Sequence, residues 1–219
     1  PLDALDAWVD TTHADAGATT ATKAQQAAKL ISLVTVPLGL DATDFDPSDD
    51  SAEPVDLVAA LTAAAGDGSY DGLPFGGRIA ATWALALLGE DVPAPLLAAI
   101  DGAQKANGGF DFDGNPSGDL FDIDVTASAV LALLAADRPV TDPTVGRAVT
   151  GLALRQQWTG EWAGGFDDGN PNSTALVAMV ARTLGHHPDS TCWASVAEPR
   201  LAGLPLRSPT GALTARQQP

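Results

Sequence analysis

Gln104-Lys105-Ala106-Asn107-Gly108-Gly109-Phe110 and Gln156-Gln157-Trp158-Thr159-Gly160-Glu161-Trp162 are two uses of one pattern, Gln-x-x-x-Gly-x-aromatic. An apolar, Ala-rich stretch with helical spacing follows each copy. A motif that recurs with its internal spacing intact marks one supersecondary unit used repeatedly, so the pattern predicts an all-α, repetitive fold.

Periodicity and stop signals place helices around these turns at 22–34, 54–65, 78–88, 95–106, 124–136, 142–157, 172–184 and 191–204. Gly66, Gly89 and Gly185 stand where three of them should end. The segments 78–88, 124–136 and 172–184 are apolar around most of their circumference, which predicts burial on all sides. Their partners carry Asp101, Lys105, Arg147 and Arg155 and read as amphipathic. Two layers, inner and outer, satisfy that alternation, and no strand-like run competes with it. The loops 41–53 and 111–121 are long and rich in Gly, Pro, Asn and Asp, as functional loops often are.

At 219 residues, 45% hydrophobic and 18% charged, the chain can bury a core of its own and reads as a single domain, 1–219. Its formal charge of −17, with three lysines (Lys23, Lys29, Lys105), argues against nucleic acid and anionic membrane as partners. Cys192 is the lone cysteine, so no intrachain disulfide can form. No window of about 18 uncharged apolar residues predicts a membrane span. The opening Pro1-Leu2-Asp3 lacks the basic and apolar regions of a signal peptide, as would a mature, trimmed secreted protein.

The two motif copies resemble the prenyltransferase/squalene-oxidase repeat of squalene–hopene cyclases and protein prenyltransferases. In that repeat a Gln-x-x-x-Gly-Trp/Phe turn precedes an inner helix opening Asp-x-x-Thr-Ala. Gln104, Gly108 and Phe110 with Asp124-Val125-Thr126-Ala127 match it. Gln156, Gly160 and Trp162, with Gly164-Gly165-Phe166 and Asn172-Ser173-Thr174-Ala175, match it again. A degenerate copy runs through Gly68-Ser69-Tyr70 and Ala80-Ala81-Thr82, with Ala64 at the Gln position. The chain closes on Gln217-Gln218-Pro219, as though a further copy were starting. The resemblance covers roughly 55–219 and implies an α/α toroid of helical hairpins. Six units would need on the order of 240–340 residues, so an incomplete ring is expected. Its exposed helix faces would favour association with a partner or a second copy. The glutamines are expected to staple the turns by bonding backbone groups.

Asp122-Ile123-Asp124-Val125-Thr126-Ala127 resembles the Asp-x-Asp-Asp-Thr-Ala motif of class II terpene cyclases, which implies Asp124 as general acid with Asp122 beside it. Val125 stands where a further Asp is expected, and strong acidity needs neighbours that stabilise the conjugate base. The chain also holds only twelve aromatics (Trp 5, Phe 6, Tyr 1), whereas carbocation chemistry favours an aromatic lining. The structural alternative is that Asp122 or Asp124 caps its helix.

Asp111, Asp113, Asn115, Ser117, Asp119 and Asp122 fall at relative positions 1, 3, 5, 7, 9 and 12 of a calcium-type loop. Pro116 replaces the usual Gly at position six, and Asp122 the final Glu. Shorter acidic loops recur at Asp44–Asp50 and at Asp167-Asp168-Gly169-Asn170, and the competing reading for all of them is a solvated turn. Zinc is excluded: Asp189, Cys192, His186 and His187 lie close together, but no His follows downstream. Cys192 has no ordered His and Asp/Asn partners of a nucleophile, and no phosphate-loop or nucleophile-elbow motif is present.

These observations predict a non-catalytic module that binds a small molecule or protein. It is similar in flavour to corrinoid-binding-like bacterial surface proteins, which implies an extracellular or cell-surface setting. Calcium is a candidate stabiliser, and a terpene-cyclase-like enzyme using Asp124 is the alternative.

Overall fold

In the computed structural model the described residues are 2–48, 53–157, 160–164 and 170–186, and among them the fold is all-α. The one β-type pairing there is an isolated antiparallel bridge between Phe45 and Val55. The chain divides into two compact units, 1–100 and 101–219.

The first unit holds α1 (Leu2–Ala14), α2 (Thr20–Leu30), α3 (Val36–Leu38), α4 (Leu57–Thr62) and α5 (Phe75–Leu88). The helix α6 (Ala94–Ala103) runs across the boundary. α2 is the pivot of this unit and packs against α1, α4 and α5. Ala24, Ala27, Ala28 and Ile31 on its buried face meet a cluster that includes Val9, Leu57, Leu61, Ala81 and Leu85. Each fully buried Leu contributes roughly 1.5–3 kcal/mol. The alanines add little apiece but allow close backbone approach.

α2 does not stop at Leu30. It continues through a π-helical turn, Ile31–Thr35, into α3, which contains Pro37. A proline inside a helix lacks its N–H and crowds the carbonyl four residues back, here that of Leu33, and a widened turn accommodates it. Gly39, at φ 67°, then closes the helix in a Schellman pattern, with Gly39 N–H on Val36 O and Leu40 N–H on Thr35 O.

Several elements differ from expectation. α1 was not anticipated, because its inward residues, such as Val9, are sparse among polar ones and Trp8 is half exposed. α4 begins at Leu57 rather than at Pro54, because the Asp56 carboxylate caps it by accepting from Ala59 N–H at 2.7 Å. Val55 is instead held extended by its bridge to Phe45. α5 starts one turn early, at Phe75. The stop glycines Gly89 and Gly185 do sit at left-handed helix ends.

The second unit contains α7 (Ile123–Ala135), α8 (Pro143–Ala153) and α9 (Pro171–Thr183), with α7 packed on both others. α7 is buried over most of its circumference, through Ile123, Thr126, Ala127, Ala129, Val130, Leu131, Ala132 and Leu133. That is the environment its all-round apolar sequence requires. α8 is amphipathic, with Val145, Ala148 and Leu152 inside and Arg147 outside. Pro143 stands at its first position, Asp142 caps it, and it ends at Ala153 rather than continuing to 157. α9 is more one-sided than its sequence suggests. Asn172, Ala175, Met179 and Arg182 share an exposed stripe whose polar ends break the apolar circumference. The helix expected at 191–204 lies outside the described residues.

Candidate functional site

The repeat is visible bond for bond. Gln104 Nε2 donates to Gly108 O at 2.9 Å, and Gln156 Nε2 donates to Gly160 O at the same distance. Gly108 N–H bonds Lys105 O at 3.0 Å; Gly160 N–H bonds Gln157 O at 2.9 Å. Phe110 N–H donates to Thr126 Oγ1 and Trp162 N–H to Thr174 Oγ1, both at 3.1 Å. The loops then close where Asp122 N–H meets Phe110 O and Asn170 N–H meets Trp162 O. The threonine of each Thr-Ala pair therefore acts as a clip that fixes the aromatic's backbone to the following helix. Phe110 and Trp162 are both buried.

Glycine is required at position 108 for two reasons. Its φ is 85°, and a Cβ there would stand 2.4 Å from Arg147 O. Gln104 also reaches Thr144 O at 2.7 Å, tying the turn to α8, while its own Oε1 is buried without a partner. The degenerate copy keeps the left-handed Gly68, its N–H on Ala65 O, and a buried Tyr70. It lacks the clip, because Thr82 Oγ1 donates to Arg78 O within its own helix.

In the first turn of α7, Asp122 is the N-cap and accepts from Val125 N–H at 3.0 Å. Asp124 stands one turn position further in. Its Oδ2 lies 3.4 Å from the side-chain amide of Asn172, and its Oδ1 is buried without a hydrogen-bond partner among the described residues. Asn172 occupies in α9 the place that Asp124 occupies in α7, so equivalent residues of the two copies meet. Ser173 Oγ, next to Asn172 in sequence and fully buried, also has no partner among the described residues.

The cation that organises loop 111–121 is a side chain. Lys105, 1% exposed, directs Nζ at Asp111 Oδ2 (2.9 Å), at Asn115 O (2.6 Å) and at Ser117 O. Asp111 Oδ1 accepts from Asn115 N–H, Asn115 Oδ1 accepts from Ser117 N–H, and Asn107 Nδ2 donates to Asp119 O. Burial opposes ionisation of Asp111, but the Lys105 ammonium and the N–H groups of Asn115 and Gly114 outweigh it and hold the carboxyl below its ordinary value. Of the six residues read as calcium ligands, the structure brings Asp111 and the main chain of Asn115 and Ser117 to this ammonium. It leaves Asp113 and Asp119 in solvent and commits Asp122 to its cap. Asp49, Asp50 and Asp167-Asp168-Gly169 lie outside the described residues, as do Asp189, Cys192 and His187. Among the described residues no three His, Cys, Asp or Glu side chains group together as metal ligands.

Sequence reasoning missed the part played by Lys105. The available signal was its place beside Gln104, where the second copy has Gln157. It also missed Phe121, whose ring fills the space above Gly109 and Gly151, where a Cβ would come within 2.1 and 2.6 Å of it. The Arg155 guanidinium lies 3.7 Å over the centre of that ring. Two open clefts lie among the described residues. One of about 360 Å³, in the first unit, is lined by His13, Lys23 and Asp56 among others. Burial, then the Lys23 ammonium, lowers the His13 pKa. The other, of about 260 Å³, lies between Asn107, Gly108 and α8.

No helix among the described residues is long and apolar enough to cross a membrane. Comparison of the chain with protein-family models, with curated proteins and with solved structures found no match.

Proposed function

We propose that this chain is a non-catalytic ligand- or partner-binding module built from prenyltransferase/squalene-oxidase-type repeats arranged as an arc of an α/α toroid. The observation that carries the reading is the use to which the would-be catalytic carboxylate pair is put. Asp122 is spent on capping α7, and Asp124 meets the amide of Asn172. A carboxylate committed to a helix cap and another set against an amide suit polar recognition rather than alkene protonation. The resemblance to corrinoid-binding-like surface proteins supports an extracellular or cell-surface setting.

Calcium is replaced in this reading by Lys105, whose ammonium takes the central position among the loop oxygens. Added calcium and added chelator should therefore leave the melting temperature unchanged; a rise of several degrees with calcium would restore the metal. Native mass spectra of the purified protein, set beside its denatured mass, test the module itself. A small-molecule or protein adduct lost on denaturation is the expected result.

The buried, partnerless Asp124 Oδ1 favours the second reading, a terpene-cyclase-like enzyme with Asp124 as acid. Turnover of an isoprenoid substrate that disappears in Asp124→Asn would establish it in place of the module.

A further inference from the structure

Phe112 and Leu120 are the most exposed large apolar side chains among the described residues, at 72% and 66%. Both belong to loop 111–121. A loose loop would fold such groups back against the protein, since exposed apolar area is disfavoured by roughly 25 cal/mol per Å². This loop is held from beneath: Lys105 grips two of its carbonyls and its first carboxylate, Asn107 ties Asp119 O, and Asp122 N–H closes its base on Phe110 O. Its two apolar side chains are therefore presented on a backbone whose ordering entropy is already lost, the condition under which anchors bind most efficiently.

The charges around them are equally one-sided. Asp113 follows Phe112 and Asp119 precedes Leu120, and both carboxylates are exposed. Lys105 is buried and consumed by Asp111, and Arg155 lies over the Phe121 ring at the loop's end, so the loop's exposed side chains include two carboxylates and two apolar groups. The chain as a whole carries −17. Nucleic acid and anionic membrane are repelled by such a surface. A cationic protein surface is attracted to it, and an apolar helix face there would meet the two anchors.

Resting on the binding-module reading, we infer that loop 111–121 is a preorganised docking element for a basic amphipathic helix of a protein partner. Phe112 and Leu120 are the anchors against its apolar face; Asp113 and Asp119 pair with its Lys or Arg side chains.

The test uses the full chain and a synthetic Leu/Lys helical peptide with one apolar face. A peptide of the same composition, scrambled so that no apolar face forms, is the control. Affinities are measured by titration calorimetry at about 0.15 M salt, where charges more than about 8 Å apart are largely screened. The wild type should prefer the amphipathic peptide. The double variant Phe112→Ser/Leu120→Ser should bind it at least about tenfold more weakly at an unchanged melting temperature. The variant Asp113→Asn/Asp119→Asn should also weaken binding and flatten its salt dependence. Equal affinity of wild type and Phe112→Ser/Leu120→Ser overturns the docking loop but leaves the module reading standing, because the peptide still binds. Equal affinity for the two peptides also overturns the loop, since charge alone would then account for binding. Failure to bind either peptide overturns it as well, and the module reading then stands or falls on the native mass spectrum.

Discussion

Gln104 donates from a single nitrogen to two backbone carbonyls, Gly108 O in its own turn and Thr144 O at the start of α8. Among the described residues Gln156 makes the first of these bonds, and it is less deeply buried. A buried carbonyl deprived of its donor costs about 1–3 kcal/mol, so the two glutamines should differ in proportion to what each holds. Gln104→Ala is expected to destabilise by about 2–3 kcal/mol and Gln156→Ala by about 1 kcal/mol, read from urea unfolding midpoints. Equal losses would show that the tie to α8 contributes nothing. The glutamines, Gly108 and Gly160 were legible in the sequence because their roles are local: an amide reaching four residues on, and a backbone turn at positive φ. The tie from Gln104 to Thr144 spans forty residues and leaves no mark in the spacing.

A loop's polar groups must be satisfied by water, by one another or by a resident cation, and in loop 111–121 the resident is Lys105. Removing a buried ion pair's cation strands a carboxylate and, here, two carbonyls. Lys105→Met should therefore cost about 3–5 kcal/mol and accelerate amide exchange within 111–121 ahead of the helices. Thermal unfolding with hydrogen-exchange mass spectrometry measures both. A variant as stable as the wild type, with the loop's amides equally protected, would show that the ammonium is not what orders it. Oxygen spacing alone suggested calcium, because a sequence records which residues bear oxygens but not which cation reaches them first. The same limit applies to the helices. α7 was legible because nearly every position on it is apolar. α1 was not, and the Pro37-driven π-turn that extends α2 breaks the rule that proline ends a helix.

Across the molecule acid outnumbers base heavily, yet Asp111 and Asp142, each paired with a cation, stabilise the fold when ionised. Asp111 and Asp142 are each disfavoured by burial, but more strongly favoured by a cation and by backbone N–H groups. For Asp142 these are Arg138 and the N–H groups of Val145 and Thr144. Both folded-state pKa values lie below the unfolded one, so the unfolded chain binds more protons as pH falls. Their stabilisation is fully present above about pH 4 and is lost as pH drops through the folded values. Relief of the −17 self-repulsion acts in the opposite sense, so the contribution is isolated by comparison with Asp111→Asn and Asp142→Asn. Each variant should be less stable than wild type at pH 7, and the gap should shrink on acidification in melting curves taken from pH 7 to pH 2. A gap that stays constant would mean that the carboxylates' charge does not stabilise the fold.

The two copies of the repeat also share their end pins while differing in what lies between. Eleven residues separate Phe110 from Asp122 and seven separate Trp162 from Asn170, yet the closing bonds, 2.9 and 3.1 Å, are equivalent. The scaffold thus sets the span and leaves the length of chain across it free, which makes each repeat a socket. Segments of other lengths and chemistry could be exchanged between those pins, provided that what Phe121 and Asp111 supply to the elements beneath is kept.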